Sequence, residues 1–389
     1  KARAELSQAA IEDSSLAPSV EYYLAKCDLQ KGDASAAAKR LAAAAKKFAD
    51  DGMLPNILFD LAVAQTRCGD DRGALKTLSR QTHLDEETAS QVLQMQAAIT
   101  HRLGKFEDSQ KHCNEFFKRF AGHPSTASIA FIAAENTFLA GDNESAVKRF
   151  GDFLKQYPTD AQAPKARLRA GWAAYRLKRF EEARDMLQPI ADDATTNPDL
   201  HGALLALGDI AFAAQNWKVS EQSLSRYVAG SGEIQSADDA LLKLGIARQR
   251  LSDHAKAIEA FDALLKSYPR SVHHLQAMFE RGQSLLEMKN TQVAVAAFEA
   301  VLADGADSRF APYALNHLAT IAISAGRPDE AADRLEKLLA AKPPKEIEEA
   351  ALLNLGSTRI AQQEFDSAEK AFKRFLSKHE DSPRAGEAL

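Results

Sequence analysis

Cysteine is scarce. Cys27, Cys68 and Cys113 are an odd number at wide spacing, which fits neither a disulfide framework nor a zinc site. Proline and glycine are also thin, 13 and 19 in 389 residues, so collagen-like and mucin-like chains are excluded. Long apolar runs are missing: one of the longest, Ile129 to Ala134, covers six residues, far short of a bilayer span. Positive charge has no excess, since 49 Lys and Arg face 54 Asp and Glu for a net charge of −5. A protein built to neutralise phosphates carries the opposite balance, so no nucleic-acid partner is expected.

Catalytic signatures are absent as well. The sequence holds no Walker-type phosphate loop, no Gly-x-Ser-x-Gly, no His-Glu-x-x-His and no Cys-x-x-Cys, so no enzyme activity, cofactor or metal is expected. His273 and His274 are adjacent, and neighbours on a helix point in different directions; they read as residues near a helix start. Gly230-Ser231-Gly232 reads as a flexible connection.

What the chain does have is alanine, nearly one residue in five, the residue with the best helix propensity. It is also periodic. A small residue recurs at Ala25, Ala62, Ala97, Ala134, Gly171, Gly208, Gly245, Gly282, Ala319 and Gly356, every interval being 37 except one of 35. Twelve residues after each stands another small residue, from Ala37 and Ala74 through Ser109, Ala146, Ala183, Ser220, Ala257, Ala294 and Ala331 to Ala368. Four further on comes a plug: Leu41, Leu78, Cys113, Phe150, Leu187, Leu224, Phe261, Phe298, Leu335 or Phe372. Both halves of each repeat carry helical spacing, as in Leu241, Leu244 and Ala247 followed by Ala257, Ile258, Phe261 and Leu265.

Between the halves lies a turn such as Gly32-Asp33, Gly69-Asp70, Gly141-Asp142, Ser252-Asp253 or Lys289-Asn290. There a left-handed residue ends one helix and Asp or Asn caps the next. The second helix is expected to stop before Tyr157-Pro158 and Tyr268-Pro269, with Ser125 and Ser271 as caps of the helices that follow. The small residues let paired helices approach, and the plug is expected to fill the gap between successive repeats.

This pattern resembles the tetratricopeptide repeat and covers residues 18–389. The resemblance implies an all-α fold, a right-handed superhelical solenoid of about ten tandem helix-turn-helix repeats. The period, longer than the usual repeat, and the ends Leu154–Pro158 and Leu265–Pro269 are similar to bacterial cell-envelope members. Those are the outer-membrane assembly lipoprotein and the periplasmic partner of the Tol-Pal system. The implied role is a non-enzymatic protein-interaction scaffold in the periplasm or cell envelope. The alternatives are a cytoplasmic location, a recruiting array of a larger protein with its catalytic domain elsewhere, and a structural subunit stacking end to end. Residues 1–17 read as the end of a preceding repeat, with Arg3 to Ile11 in its second helix, and Gly386 to Leu389 as the first turn of a further one. Without polar capping helices, this reads as a window of a longer array.

In the family the first helix of each repeat lines a concave groove that holds a protein or peptide partner. The resemblance places Phe131, Glu135 and Phe138 there, then Lys165, Trp172, Tyr175 and Arg176, then Asp209 and Phe212, and later Phe279. The aromatics form a candidate binding stripe, with Trp172 and Tyr175 as anchors; rings at such positions also serve as helix packing. The asparagine of the chaperone-binding carboxylate clamp is missing. Its position holds Lys26, Val63, Ala98, Glu135, Trp172, Asp209, Ile246, Gln283, Thr320 and Ser357.

Overall fold

The computed structural model describes residues 16–82, 84–195, 197–230 and 236–389. Arg3 to Ile11, and Ser231 and Gly232, lie outside the described residues. Among the described residues twenty α-helices follow one another, and there is no strand. The chain divides into two compact units, Lys1–Ile190 and Ala191–Leu389.

The first unit holds α1 (Ala17–Gln30), α2 (Ala34–Lys47), α3 (Leu54–Arg67), α4 (Asp71–Leu78), α5 (Glu86–Arg102), α6 (Phe106–Arg119), α7 (Thr126–Leu139), α8 (Asn143–Gln156), α9 (Ala163–Arg176) and α10 (Phe180–Leu187). The second holds α11 (Gly202–Ala213), α12 (Trp217–Val228), α13 (Ala237–Arg250), α14 (His254–Ser267), α15 (His274–Glu287), α16 (Thr291–Asp304), α17 (Ala311–Ser324), α18 (Pro328–Ala340), α19 (Lys345–Ala361) and α20 (Phe365–Lys378). Within each unit every helix packs on its chain neighbours, and odd-numbered helices touch one another: α5 with α7 and α7 with α9, then α11 with α13 and α13 with α15. Odd-numbered helices are therefore the first helices of the repeats. Helix α10 is short because Pro189 cannot continue it; the chain passes into 3-10 turns at Gln188–Ile190 and Asp193–Thr195. Ala385–Glu387 forms another such turn near the end.

The ten turns inside the helix pairs share one backbone device. Gly32, Gly69, Gly104, Gly141 and Gly326 sit there at φ of +67° to +84°, and Lys178, Gln215, Ser252, Lys289 and Gln363 take the same place at +57° to +63°. The next residue often caps the second helix. Asp33, Asp70, Asp142 and Asp253 accept hydrogen bonds of 2.8–3.2 Å from the amides of Ala36, Gly73, Ser145 and Lys256. Asn290 departs from the expectation, since its side chain makes no cap bond. Ser125 makes none either. Ser271 lies ahead of α15, where its hydroxyl accepts from the amide of His273, the residue before the helix, at 3.0 Å and donates to Asp238, 2.6 Å away on α13.

The plug has a second partner beside the one expected. A Cβ built on Gly245 would lie 2.3 Å from Phe261, one on Gly282 2.7 Å from Phe298, and one on Gly171 or Gly208 2.5 Å from Leu187 or Leu224. These plugs press on the small residue of their own repeat, where the two helices cross, and they reach the next repeat as well: Phe298 stacks on His317 of α17 at 4.9 Å, and Phe261 clusters with Ala277 of α15. Phe150, Phe261 and Phe298 are fully buried at that crossing, and Cys113 replaces them in the third repeat, also buried. Burial pushes the Cys113 thiol up to about 11, leaving it protonated and inert. Cys27 is half-buried and Cys68, just past α3, is exposed; all three are free thiols.

Candidate functional site

The expected stripe resolves into different environments. Phe131 of α7 is only 4% exposed and packs edge-on against Phe150 and Phe153 of α8, at 5.8 and 5.7 Å between ring centres. Its turn of α7 faces the second helix, so Phe131 is part of the core and not an open contact. Phe138, also 4% exposed, is covered by the guanidinium groups of Arg169 and Arg176 at 5.0 and 4.6 Å. These cation–π contacts tie α7 to α9. Phe279 of α15 is 6% exposed and packs on Phe298 of α16.

Trp172, Tyr175 and Arg176 behave differently. The two rings are half-buried and meet edge to face at 5.5 Å, and Arg176 is exposed. Tyr175 also meets Phe180, the first residue of α10, at 5.9 Å. The same clasp across the turn recurs as His101 with Phe106 and as Phe212 with Trp217. Tyr175 and Phe212 therefore hold the turn while keeping part of each ring open.

The first unit also holds a polar relay that spacing alone did not reveal. Ser109 donates to the Ala97 carbonyl at 2.8 Å, so its oxygen accepts from the Asn136 amide at 2.9 Å. That leaves Asn136 Oδ1 as acceptor, and His101 Nδ1, 2.8 Å away, must donate to it. His101 Nε2 then faces the Glu135 carboxylate at 3.6 Å. A neutral ring would point a lone pair at the anion, so Glu135 holds the His101 pKa above the usual histidine value, with help from Asn136 and against burial. Burial pushes Glu135 upward, but hydrogen bonds from His101 and Arg169 and the charge of Lys165 outweigh it and leave its pKa lowered. Arg169 reaches Glu135 at 3.0 Å and Lys165 at 3.8 Å. The relay fastens α5, α6, α7 and α9 to one another.

The second unit repeats the device. Lys243 bridges Asp209 at 2.8 Å and Asp239 at 2.6 Å, and His273 lies 3.6 Å from Asp239. Burial lowers the Lys243 pKa, but the two carboxylates more than restore it. His274 turns away toward Asp304. Among the described residues no group of three potential ligands converges on a metal position, and no helix is long and apolar enough to cross a membrane. Arg169, His101, Asn136 and Lys243 are the residues the sequence reading missed. Their signal is an interval of 34, three short of the repeat, seen in Lys26–Asp60, His101–Glu135, Glu135–Arg169, Asp209–Lys243 and Asp239–His273. Adjacent first helices pair side chains one turn out of register.

Tetratricopeptide repeat models match residues 239–271, residues 279–346, and residues 138–208 with 322–389, together more than half of the chain. The chain belongs to the tetratricopeptide repeat family. Such repeats bind protein partners, and the chain has the make-up of a tetratricopeptide scaffold for protein–protein interaction. No curated protein matches it significantly. Solved structures it is similar to include a tetratricopeptide repeat protein from Parabacteroides merdae (15% identity, 69% of this chain and 98% of that one, TM-score 0.44). A MamA fragment from Desulfovibrio magneticus RS-1 shares 17% identity over 47% of this chain and 97% of its own, at a TM-score of 0.40. PilW, a type IV pilus biogenesis factor, shares 17% over 58% and 98%, at a TM-score of 0.41. The open aromatic pair sits on the first helix α9, and the relay joins the first helices α5, α7 and α9 to Ser109 of the second helix α6.

Proposed function

We propose that the chain is a non-enzymatic scaffold that holds a segment of a partner protein against the first-helix face of α7 and α9, within a bacterial cell-envelope assembly. The observation that carries the binding reading is the Trp172–Tyr175 pair with Arg176. The rings are large, partly open, and held against each other and, through Tyr175, against Phe180, while Arg176 beside them covers Phe138. A rigid aromatic anchor loses little entropy on binding, and such anchors dominate interface energetics. The envelope reading is supported by the 37-residue period and the Tyr-Pro helix ends, which resemble envelope members of the family.

Truncation of an interface aromatic commonly costs about 2 kcal/mol or more, roughly a thirtyfold loss of affinity. Tagged protein, with Trp172→Ala and Tyr175→Ala variants shown to remain folded, is used to capture partners separately from envelope and cytosolic fractions of the source cells. The expected result is a partner from the envelope fraction that both variants lose. Undiminished capture by the variants would move the binding surface elsewhere, and partners from the cytosol alone would remove the envelope assignment.

A further inference from the structure

A second aromatic site lies in the other unit. Phe279 of α15, Phe310 just before α17 and Tyr313 in its first turn enclose a cavity of about 410 Å³ with Arg309, Pro312 and Pro344. Phe279 and Phe310 stack at 5.8 Å with 28° between their planes, and Tyr313 meets Phe279 edge-on at 6.1 Å. Phe279 forms the floor, while Tyr313 is 41% exposed. The packing of the repeat needs Phe279 against Phe298; it does not account for the open aromatic wall made by Tyr313.

The chemistry of the walls selects the occupant. Arg309 lies over the Phe310 ring at 4.7 Å, on the face an ammonium group would otherwise take, so a cationic ligand is disfavoured. Its one hydrogen bond, to Gln276 Oε1, is 3.3 Å long, and among the described residues it pairs with no carboxylate. A guanidinium without an anion beside an apolar cavity is complementary to an acidic group. Pro312 and Pro344 offer no N–H, so that rim cannot extend a β-ladder with an incoming chain. The cavity is near the low end of ligand-site volumes, room for a few residues and not for a helix face. Polyproline II segments suit such a place: their rings stack on aromatics, their carbonyls point outward as acceptors for a tyrosine hydroxyl, and they are already extended.

We propose that this cavity is a docking site for a short polyproline II segment of a partner chain that carries a carboxylate beside its prolines. Proline rings pack on Tyr313 and against the edge of Phe310, above Phe279, and Arg309 pairs with the acid. The site is separate from the Trp172–Tyr175 face and does not depend on it.

The probe is a fluorescein-labelled peptide of three Pro-Pro-Glu triplets, with Ala-Ala-Glu and Pro-Pro-Lys versions as controls, titrated by fluorescence anisotropy into the full chain. The expected result is binding of the Pro-Pro-Glu peptide at least tenfold tighter than either control. Tyr313→Ala and Arg309→Glu should each weaken it tenfold or more. Arg309→Glu should reverse the charge preference toward Pro-Pro-Lys, which also shows that the variant is folded. Trp172→Ala should leave the affinity unchanged, so failure of the first site and of this one are told apart. Equal binding of the alanine peptide, no binding of the Pro-Pro-Glu peptide, or affinities indifferent to Tyr313→Ala would overturn the proposal.

Discussion

At the scale of single residues, the periodic sequence is legible because one steric contact repeats. Gly245 faces Phe261 and Gly282 faces Phe298 with no room for a Cβ, and the same spacing marks every pair. What spacing could not distinguish is whether an aromatic on a first helix looks outward or inward. Phe131 and Trp172 look alike in sequence, yet one is in the core and the other half-open. The relay was hidden for another reason: its members sit one turn out of repeat register. His101 and Glu135 make that relay sensitive to pH. The raised His101 pKa means its contribution is complete below the ordinary histidine value of 6.5 and is lost as pH rises through the higher folded value. The lowered Glu135 pKa means its contribution is complete above the ordinary 4.5 and is lost as pH falls through the lower folded value. Protection of α5 and α7 against hydrogen exchange, corrected for intrinsic rates, should therefore be greatest between those limits and fall on the alkaline side. His101→Gln should flatten the alkaline fall. An unchanged profile in that variant would show that the pairing adds nothing to folding.

At the scale of elements, the helix boundaries were readable where a backbone rule dictates them. Tyr157 and Tyr268 terminate α8 and α14 because proline follows each. Aspartate after the left-handed turn residue caps four second helices. The side-chain caps expected of Ser125 and Asn290 did not form, and Ser271 takes the amide just ahead of its helix while also donating to Asp238, because a serine or asparagine near a helix start has several hydrogen-bonding choices and local sequence does not rank them. The turns also carry unequal strain. Five use glycine, while Ser252 and Lys289 hold φ of +61° and +60° with a side chain attached, a conformation costing non-glycine residues about 1–2 kcal/mol. Ser252→Gly relieves that cost but loosens the unfolded chain, which takes back about 0.4–1 kcal/mol. The net expectation is a gain of about 0.5–1 kcal/mol. Gly141→Ala, at φ of +84°, should move the other way by a similar amount or more. Thermal melts of both variants decide it; a drop in midpoint for Ser252→Gly would mean the serine makes contacts worth more than the strain.

At the scale of the whole molecule, a stack of helix pairs has no central core through which a perturbation spreads. Within each unit a pair touches the pairs before and after it, so stability is a sum of pair and interface contributions. Phe261 tests this well. It is fully buried, fills the crossing with Gly245, and belongs to one cluster with Leu241, Leu242, Ala257, Leu264 and Ala277, residues of α13, α14 and α15. Phe261→Ala should cost about 3–5 kcal/mol through the cavity it leaves. That loss should appear first as faster hydrogen exchange in peptides from α13 to α15. Helices α19 and α20, two pairs further on, should keep most of their protection, as should α1 to α4. Phe261→Leu, which matches the plug at Leu187 and Leu224, should give the same gradient at smaller amplitude and guards against global unfolding of the alanine variant. If instead all twenty helices lose protection together in both variants, the units fold as single cooperative bodies, and the repeat is a feature of the sequence pattern without an energetic counterpart.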